Sequence, residues 1–229
     1  MNQNAIYIFS PLLFASGDDN LINNFNEKDT DYFRTTLYLN LMENTLKRKD
    51  KTDFFIILSK DEMYSELASV NDFQLITSEQ NSIKVLQSEK LTKEFINHKY
   101  NILVAGNVVN LSASDIDKYL NLLGVDEKTI LISKSSAADK ISVFGFCGYT
   151  EELLRFFIES ELSIQKFLGF NESCEYYITL AKDLFEVKDI NDFKKLYIDL
   201  SQKTSLEYCS QEMHERFTHL FVEYKDLLK

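Results

Sequence analysis

Six short apolar runs punctuate the chain, and the segments between them repeat apolar residues with a helical period. The runs are Ala5–Ser10, Asp53–Ser59, Phe73–Thr77, Asn101–Gly106, Thr129–Ser133 and Ile141–Cys147. Most are continuously apolar, as in strands covered on both faces. Between them, Asp31–Lys49 places Phe33, Leu37, Leu41 and Leu46 near one helix face and ends in Lys47, Arg48 and Lys49 against the dipole. Ser82–Asn97 and Ser114–Leu123 read as further helices. Such alternation requires crossover connections, which are right-handed. It therefore predicts a three-layer α/β/α Rossmann-like sheet, mainly parallel.

After Gly148 the pattern turns helical. Thr150–Phe170 and Ser173–Phe185 read as helices, and another runs from Asn191 to about Ser201. Ser205–Lys229 sets Met213, Phe217, Leu220, Tyr224 and Leu227 at alternating four- and three-residue steps on one face. The expected organisation is one α/β domain over residues 1–201 and an amphipathic C-terminal helix over 202–229. Pro11 is the single proline, so no proline-rich linker divides the chain.

Composition narrows the function classes. With 229 residues, 45% hydrophobic and 13% aromatic, the chain can bury a sizeable core. Its formal net charge is −11, and no Lys/Arg cluster offsets it, which argues against nucleic acid or anionic membrane as a partner. Cys147, Cys174 and Cys209 are widely spaced without a CxxC pair, so neither a zinc site nor a disulfide framework is expected, and a reducing compartment fits. The start, MNQNAIYIFSPLLF, reads as a first strand and not a signal peptide. No apolar run approaches membrane-spanning length, and a cytoplasmic protein is the expectation.

Candidate chemistry gathers at Tyr100–Gly124. The run Ile102–Ala105 ends in Gly106-Asn107, and a helix opens at Ser112 or Ser114. In an open α/β sheet, ligands bind at the carboxyl ends of strands, where loops meet helix N-termini. Asn107 and Asn110 stand there where a metal-dependent enzyme wants carboxylates. An amide keeps the oxygen but lacks the charge that holds a divalent ion.

These elements, in this order, resemble the GT-A-type nucleotide-diphospho-sugar transferases from Ala5 to Ser201. The nearest resemblance is to a small bacterial glycosyltransferase-like family related to the molybdenum-cofactor guanylyltransferases. That family's first loop carries basic residues that would hold nucleotide phosphates. The matching stretch here runs from Phe9-Ser10-Pro11 to Gly17-Asp18-Asp19 and is acidic, leaving Arg34 on the next helix as the nearby cation. The family's Gly-Ser-Asp-Cys-Pro-Asp-Leu motif reads Gly106-Asn107-Val108-Val109-Asn110-Leu111 after Ala105, so its metal-facing acids map to Asn107 and Asn110. A Glu-Asp-Gly-Gly run corresponds to Ala137-Ala138-Asp139-Lys140, and an Asp-Val-Asp motif to Glu186-Val187-Lys188. The resemblance implies a nucleotide-sugar pocket bordered by Ser10, Asp18, Asp19, Arg34, Asn107, Asn110, Asp139 and Lys188, whose outline is kept while its metal and phosphate chemistry is lost.

Other motifs carry ordinary readings. His214-Glu215 with His219 has a five-residue step, which turns the second histidine about 140° from the first and does not form a zinc pair. His98 suits a helix C-terminus, and Asp115 and Asp117 suit a helix start. Cys147 reads as a small core residue. Three function classes stay open. The first is a non-catalytic or strongly altered transferase relative that binds a nucleotide sugar or small molecule or serves in assembly. The second is an active transferase with a rearranged or metal-free site, and Mg²⁺ or Mn²⁺ enters only under this class. The third is a partner-binding protein, a homo-oligomer included, that acts through the C-terminal helix.

Overall fold

The computed structural model describes residues 2–14, 24–47, 52–60, 62, 64–78, 82–136, 139–171 and 176–228. The elements are β1 (Asn4–Phe9), α1 (Glu27–Leu46), β2 (Thr52–Ser59), α2 (Ser65–Ala68), β3 (Gln74–Ser78), α3 (Glu89–Asn97), β4 (Tyr100–Ala105), α4 (Ala113–Leu123) and β5 (Thr129–Lys134). They continue as β6 (Ile141–Cys147), α5 (Glu151–Glu159), α6 (Ile164–Asn171), β7 (Tyr177–Leu180), α7 (Ile190–Leu200) and α8 (Gln211–Glu223). Side-chain caps fix most helix starts. Asn26, Ser88, Ser112, Thr150, Asp189 and Ser210 each accept a backbone N–H of the first turn of α1, α3, α4, α5, α7 and α8.

The seven strands form one sheet in the order β3-β2-β1-β4-β6-β5-β7. All neighbours are parallel except β6, which runs antiparallel to β4 and to β5. The central strands are buried along almost their whole length, which explains why they read as continuous apolar runs. On one face, Phe95 of α3 packs on Tyr7, while Phe157 of α5 and Phe167 of α6 pack on Phe144. On the other, α1 lies against the sheet through Tyr38, Leu41 and Met42.

A second core forms beyond α1. Phe33 and Leu37 of α1 meet Val109, Phe193 and Leu196 of α7, and Met213, Phe217 and Leu220 of α8. Helix α1 is thus buried on two sides, and the C-terminal helices form a further layer over it. Tyr224 closes this layer: its ring stacks on Phe25 at 4.1 Å, and its hydroxyl donates to Asp29 Oδ2 at 2.7 Å beside the start of α1.

The structure departs from the sequence reading in four places, the first being Ser82–Asn97, where a 3-10 turn over Ile83–Gln87 ends at the extended Ser88 and α3 starts at Glu89. The helix expected over Ser173–Phe185 is not formed: residues 172–175 lie outside the described set, and Tyr177–Leu180 is a strand pairing in parallel with Thr129–Ile132 of β5. The helix expected over Thr150–Phe170 breaks into α5 and α6 at Glu161 and Leu162, which sit at φ 51° and 65°. That break lets Leu162 O accept the Ile141 N–H at 2.7 Å, anchoring the start of β6. The segment Ser205–Lys229 is a helical turn at Lys203–Glu207, then α8, then a turn at Lys225–Leu228. Among the described residues no helix is long and apolar enough to cross a membrane.

Candidate functional site

Parallel β1, β2 and β4 all end on one side of the sheet, so the residues just beyond Phe9, Ser59 and Ala105 come together there. Ser10, the first residue after β1, is fully buried, and its Oγ accepts the Leu12 N–H at 3.1 Å. Its hydroxyl lies against Glu62, from the loop after β2, and Tyr38 of α1. Glu62 is itself buried. It accepts the Ser59 N–H at 3.1 Å and the Tyr38 hydroxyl at 3.2 Å, and Arg34 supplies a nearby positive charge. Burial raises the Glu62 carboxyl above its ordinary value, against the opposing pull of Ser10, Ser59 and Arg34. Gly106 is required where the tyrosine crosses β4: a Cβ there would stand 2.2 Å from Tyr38 Cε1. Pro11, Arg34, Leu37, Tyr38, Glu62, Gly106 and Asn107 enclose a chamber of about 10 Å³.

Asn107 and Asn110 belong to a main-chain ladder. Residues 184–187 form a strap between two edges. On one side Val109 N donates to Phe185 O at 2.9 Å, and Val187 N donates to Asn107 O at 3.0 Å. On the other, Leu184 N donates to Lys134 O and Ser136 N to Leu184 O, at 2.8 and 2.7 Å. Asn110 Oδ1 accepts the Phe185 N–H at 2.8 Å. Asn107 Nδ2 makes a long contact of 3.4 Å to Val187 O, and Asn107 Oδ1, also buried, has no hydrogen-bond partner among the described residues. Within the strap, the buried Glu186 carboxylate accepts the Ser142 hydroxyl and pairs with the Lys188 ammonium. Lys182 braces the same corner, with Nζ 2.6 Å from Asp115 Oδ2 and 3.0 Å from Asn110 O.

The expected residues divide accordingly. Ser10, Arg34 and Asn107 meet at the chamber; Asn110 and Lys188 meet along the strap; Asp139 is exposed in the β5–β6 connection, and the cluster forms without it. Asp18 and Asp19 lie outside the described residues. Asn107, Asn110 and Lys188 do not suit a divalent cation. Two amides bring no charge, one amide oxygen already holds a backbone N–H, and the lysine is positive.

The sequence fits no protein-family model and resembles no curated protein. Solved structures are similar over nearly the whole chain. One is a protein assigned to the nucleotide-diphospho-sugar transferases, from Desulfovibrio desulfuricans G20, with a TM-score of 0.73 at 11% identity, covering 98% of this chain and 99% of that one. The chain has the nucleotide-diphospho-sugar transferase fold. A cytidylyltransferase from Leptospira borgpetersenii shares this fold at a TM-score of 0.60 and 10% identity, covering 100% of this chain and 97% of its own. A nucleotidyl transferase from Methanothermobacter does so at 0.58 and 10% identity, covering 86% and 97%.

Within this nucleotide-diphospho-sugar transferase fold, sequence reasoning missed Glu62, Tyr38 and Tyr64, and it met Glu186 in the Glu186-Val187-Lys188 stretch without giving it a role. The one available signal was position: Glu62 follows an apolar strand at its carboxyl end, as Asn107 does. The remaining motifs serve structure. His214 Nε2 lies 3.0 Å from Ser205 Oγ, whereas His219 stands edge-on to Tyr32, so the two histidines have different neighbours. His98 caps α3: Nδ1 is 2.7 Å from Glu94 O, and Nε2 is 2.7 Å from Asp53 Oδ2. Cys147 is half-buried, and burial raises its thiol above the ordinary value. Asp115 completes a capping box with Ser112.

Proposed function

We propose that this chain is a glycosyltransferase-like protein whose metal-dependent transfer chemistry is lost or strongly altered, and that it keeps a binding or assembly role. The observation that supports this most is the use made of Asn107, Asn110 and Lys188. Asn110 Oδ1 accepts the Phe185 N–H, Asn107 bonds the 184–187 strap through its main-chain oxygen, and the Lys188 charge is balanced by Glu186. A ligand role is supported by the polar atoms left over beside them. Among the described residues, Arg34 Nε, Tyr64 OH and Asn107 Oδ1 are buried without a hydrogen-bond partner, and such atoms are rare unless something else meets them. The space beside them is about 10 Å³, room for about one water-sized group, so a nucleotide sugar would meet this set through a single polar group. The same leftover atoms favour, as a second reading, transfer in a rearranged or metal-free site with Arg34 facing the ligand's phosphates; Mg²⁺ or Mn²⁺ enters only under this second reading.

Thermal unfolding against nucleoside diphosphates and nucleotide sugars, each with and without Mg²⁺ or Mn²⁺, tests this. A ligand at about 100 times its Kd adds roughly 2.7 kcal/mol and raises the midpoint visibly. A shift that does not need metal, without turnover of the ligand, is the expected result. Turnover, with metal or without it, would overturn the first reading and select the second, and no shift in a cooperatively folded sample would leave assembly as the role.

A further inference from the structure

The chamber at the carboxyl ends of β1 and β4 leaves one donor and one acceptor unused. Arg34 of α1 and Asn107, the second residue after β4, both line it. Among the described residues, Arg34 Nε and Asn107 Oδ1 are buried and have no hydrogen-bond partner. Asn107 is only 3% exposed, and its Nδ2 faces Val187 O, which turns Oδ1 away from the strap. Glu62, the other polar wall, is already engaged: its two oxygens accept the Tyr38 hydroxyl and the Ser59 N–H. Pro11 and Arg34 are half-buried, so one wall of the chamber lies at the molecular surface. Its volume, about 10 Å³, admits one group the size of a water oxygen.

The unused pair selects the chemistry of that group. A phosphate oxygen only accepts. It would satisfy Arg34 Nε but leave Asn107 Oδ1 facing another acceptor, with the buried Glu62 carboxyl beside it. An ammonium only donates. It would satisfy Asn107 and leave the Arg34 Nε–H facing a second donor and a second cation. A hydroxyl does both: its oxygen accepts from Arg34 and its hydrogen goes to Asn107, so neither atom stays buried and unpaired. Tyr64 adds to the preference. Its hydroxyl lies near the same guanidinium, is buried and unpartnered among the described residues, and can rotate to donate or accept. We propose that the group taken by this chamber is a neutral hydroxyl of a sugar or other polyol, and that phosphate is excluded from it. This rests on the ligand-binding role proposed for this end of the sheet and names which part of the ligand enters.

Titration of the full chain with small probes, followed by NMR at the Asn107 side-chain amide and the Gly106 backbone amide, reads the chamber directly. The probes are glycerol, myo-inositol and glucose, set against inorganic phosphate and methylammonium, in the millimolar range where ligands of so few atoms bind. The polyols are expected to move both signals beyond the Tyr177 amide of the exposed strand β7, which controls for bulk solvent effects, and the two ions are not. Asn107→Leu deletes the acceptor and is expected to weaken the polyol response, read at Gly106, about tenfold or more. Asn107→Asp keeps an acceptor and is expected to preserve that response. Movement of these signals by phosphate or methylammonium, silence with every polyol, or an unchanged response in Asn107→Leu would overturn the proposal. The wild-type comparison of polyols with phosphate decides it even if a variant fails to fold. Polyol binding without any nucleotide-sugar shift would remove nucleotide sugars as the ligand and leave the hydroxyl assignment intact. A nucleotide-sugar shift with silent polyols would do the reverse.

Discussion

The two ends of the sheet each bury a polar cluster, and the clusters differ in how completely they are satisfied. At the amino end, Tyr7 donates to Asn101 Oδ1 at 3.0 Å, Asn101 Nδ2 donates to Phe95 O and His98 O, and both ring nitrogens of His98 face acceptors. Asn2 adds a bond to Asp53 at 2.8 Å. At the carboxyl end, Arg34 Nε, Asn40 Oδ1, Tyr64 OH, Asn107 Oδ1 and Ser135 Oγ, among the described residues, are buried without a protein partner. The first cluster is closed on itself and serves stability. The second is held in place by its neighbours yet keeps unused bonding capacity among the described residues.

The contrast predicts unequal responses to mutation. His98→Ala removes two bonds, takes one of its two partners from the part-exposed Asp53 and leaves a cavity, and should cost about 3 kcal/mol in urea unfolding while leaving ligand shifts unchanged; a cost below about 1 kcal/mol would refute the closed-cluster view. Gly106→Ala forces the Tyr38 ring away from β4 and should cost about 2 kcal/mol. Combined with Tyr38→Leu its cost should shrink, because the clash is gone, and strict additivity would show that the ring is not the obstacle.

Smaller effects follow pH. A carboxyl whose folded value is raised, as for Glu62, favours the fold at low pH and loses that contribution as pH rises from its ordinary value through the raised one. Glu62→Gln should therefore raise the unfolding midpoint at neutral pH and flatten this slope. Asp53 behaves oppositely. Partial burial opposes the shift, but hydrogen bonds from His98 and Asn2 hold its carboxyl below the ordinary range, so its contribution is present above that range and lost as pH falls through the lowered value. Equal pH profiles for Glu62→Gln and Asp53→Asn would erase the distinction between the ends. Least in stability is Asn107→Leu, expected within about 0.5 kcal/mol of wild type while abolishing any ligand-induced shift; retention of a full shift would remove Asn107 from the site.

Much of the fold was legible because buried parallel strands and capped helices leave local signals. Ile102–Ala105 and Phe54–Leu58 announce themselves, and so does the α8 stripe, whose Met213, Phe217 and Leu220 are all buried. Strand β7 was not legible. It is four residues long, with Tyr177 and Leu180 exposed, and its aromatic and aliphatic neighbours mimic a helical period. Asn107 and Asn110 could be placed by position alone. Glu62 could not be distinguished from the solvated acids of a chain with 36 of them, since its burial depends on Ser10 and Tyr38, distant in sequence. Lys188 stood out as a misplaced charge, but its pairing with Glu186 depends on the strap's path past Ser142.

That strap fixes the outline of the Asn107–Asn110 loop largely without help from its side chains. The loop at Asn107–Asn110 owes its course mainly to bonds between main-chain atoms of Val109, Phe185, Val187 and Asn107 itself, which are indifferent to side-chain identity. Side chains along this loop can therefore be exchanged without moving its main chain. Asn107→Asp, Asn110→Asp and Lys188→Asp installed together would leave that course in place while turning a neutral and basic stretch acidic, so the shape and the charge of this corner can be edited separately.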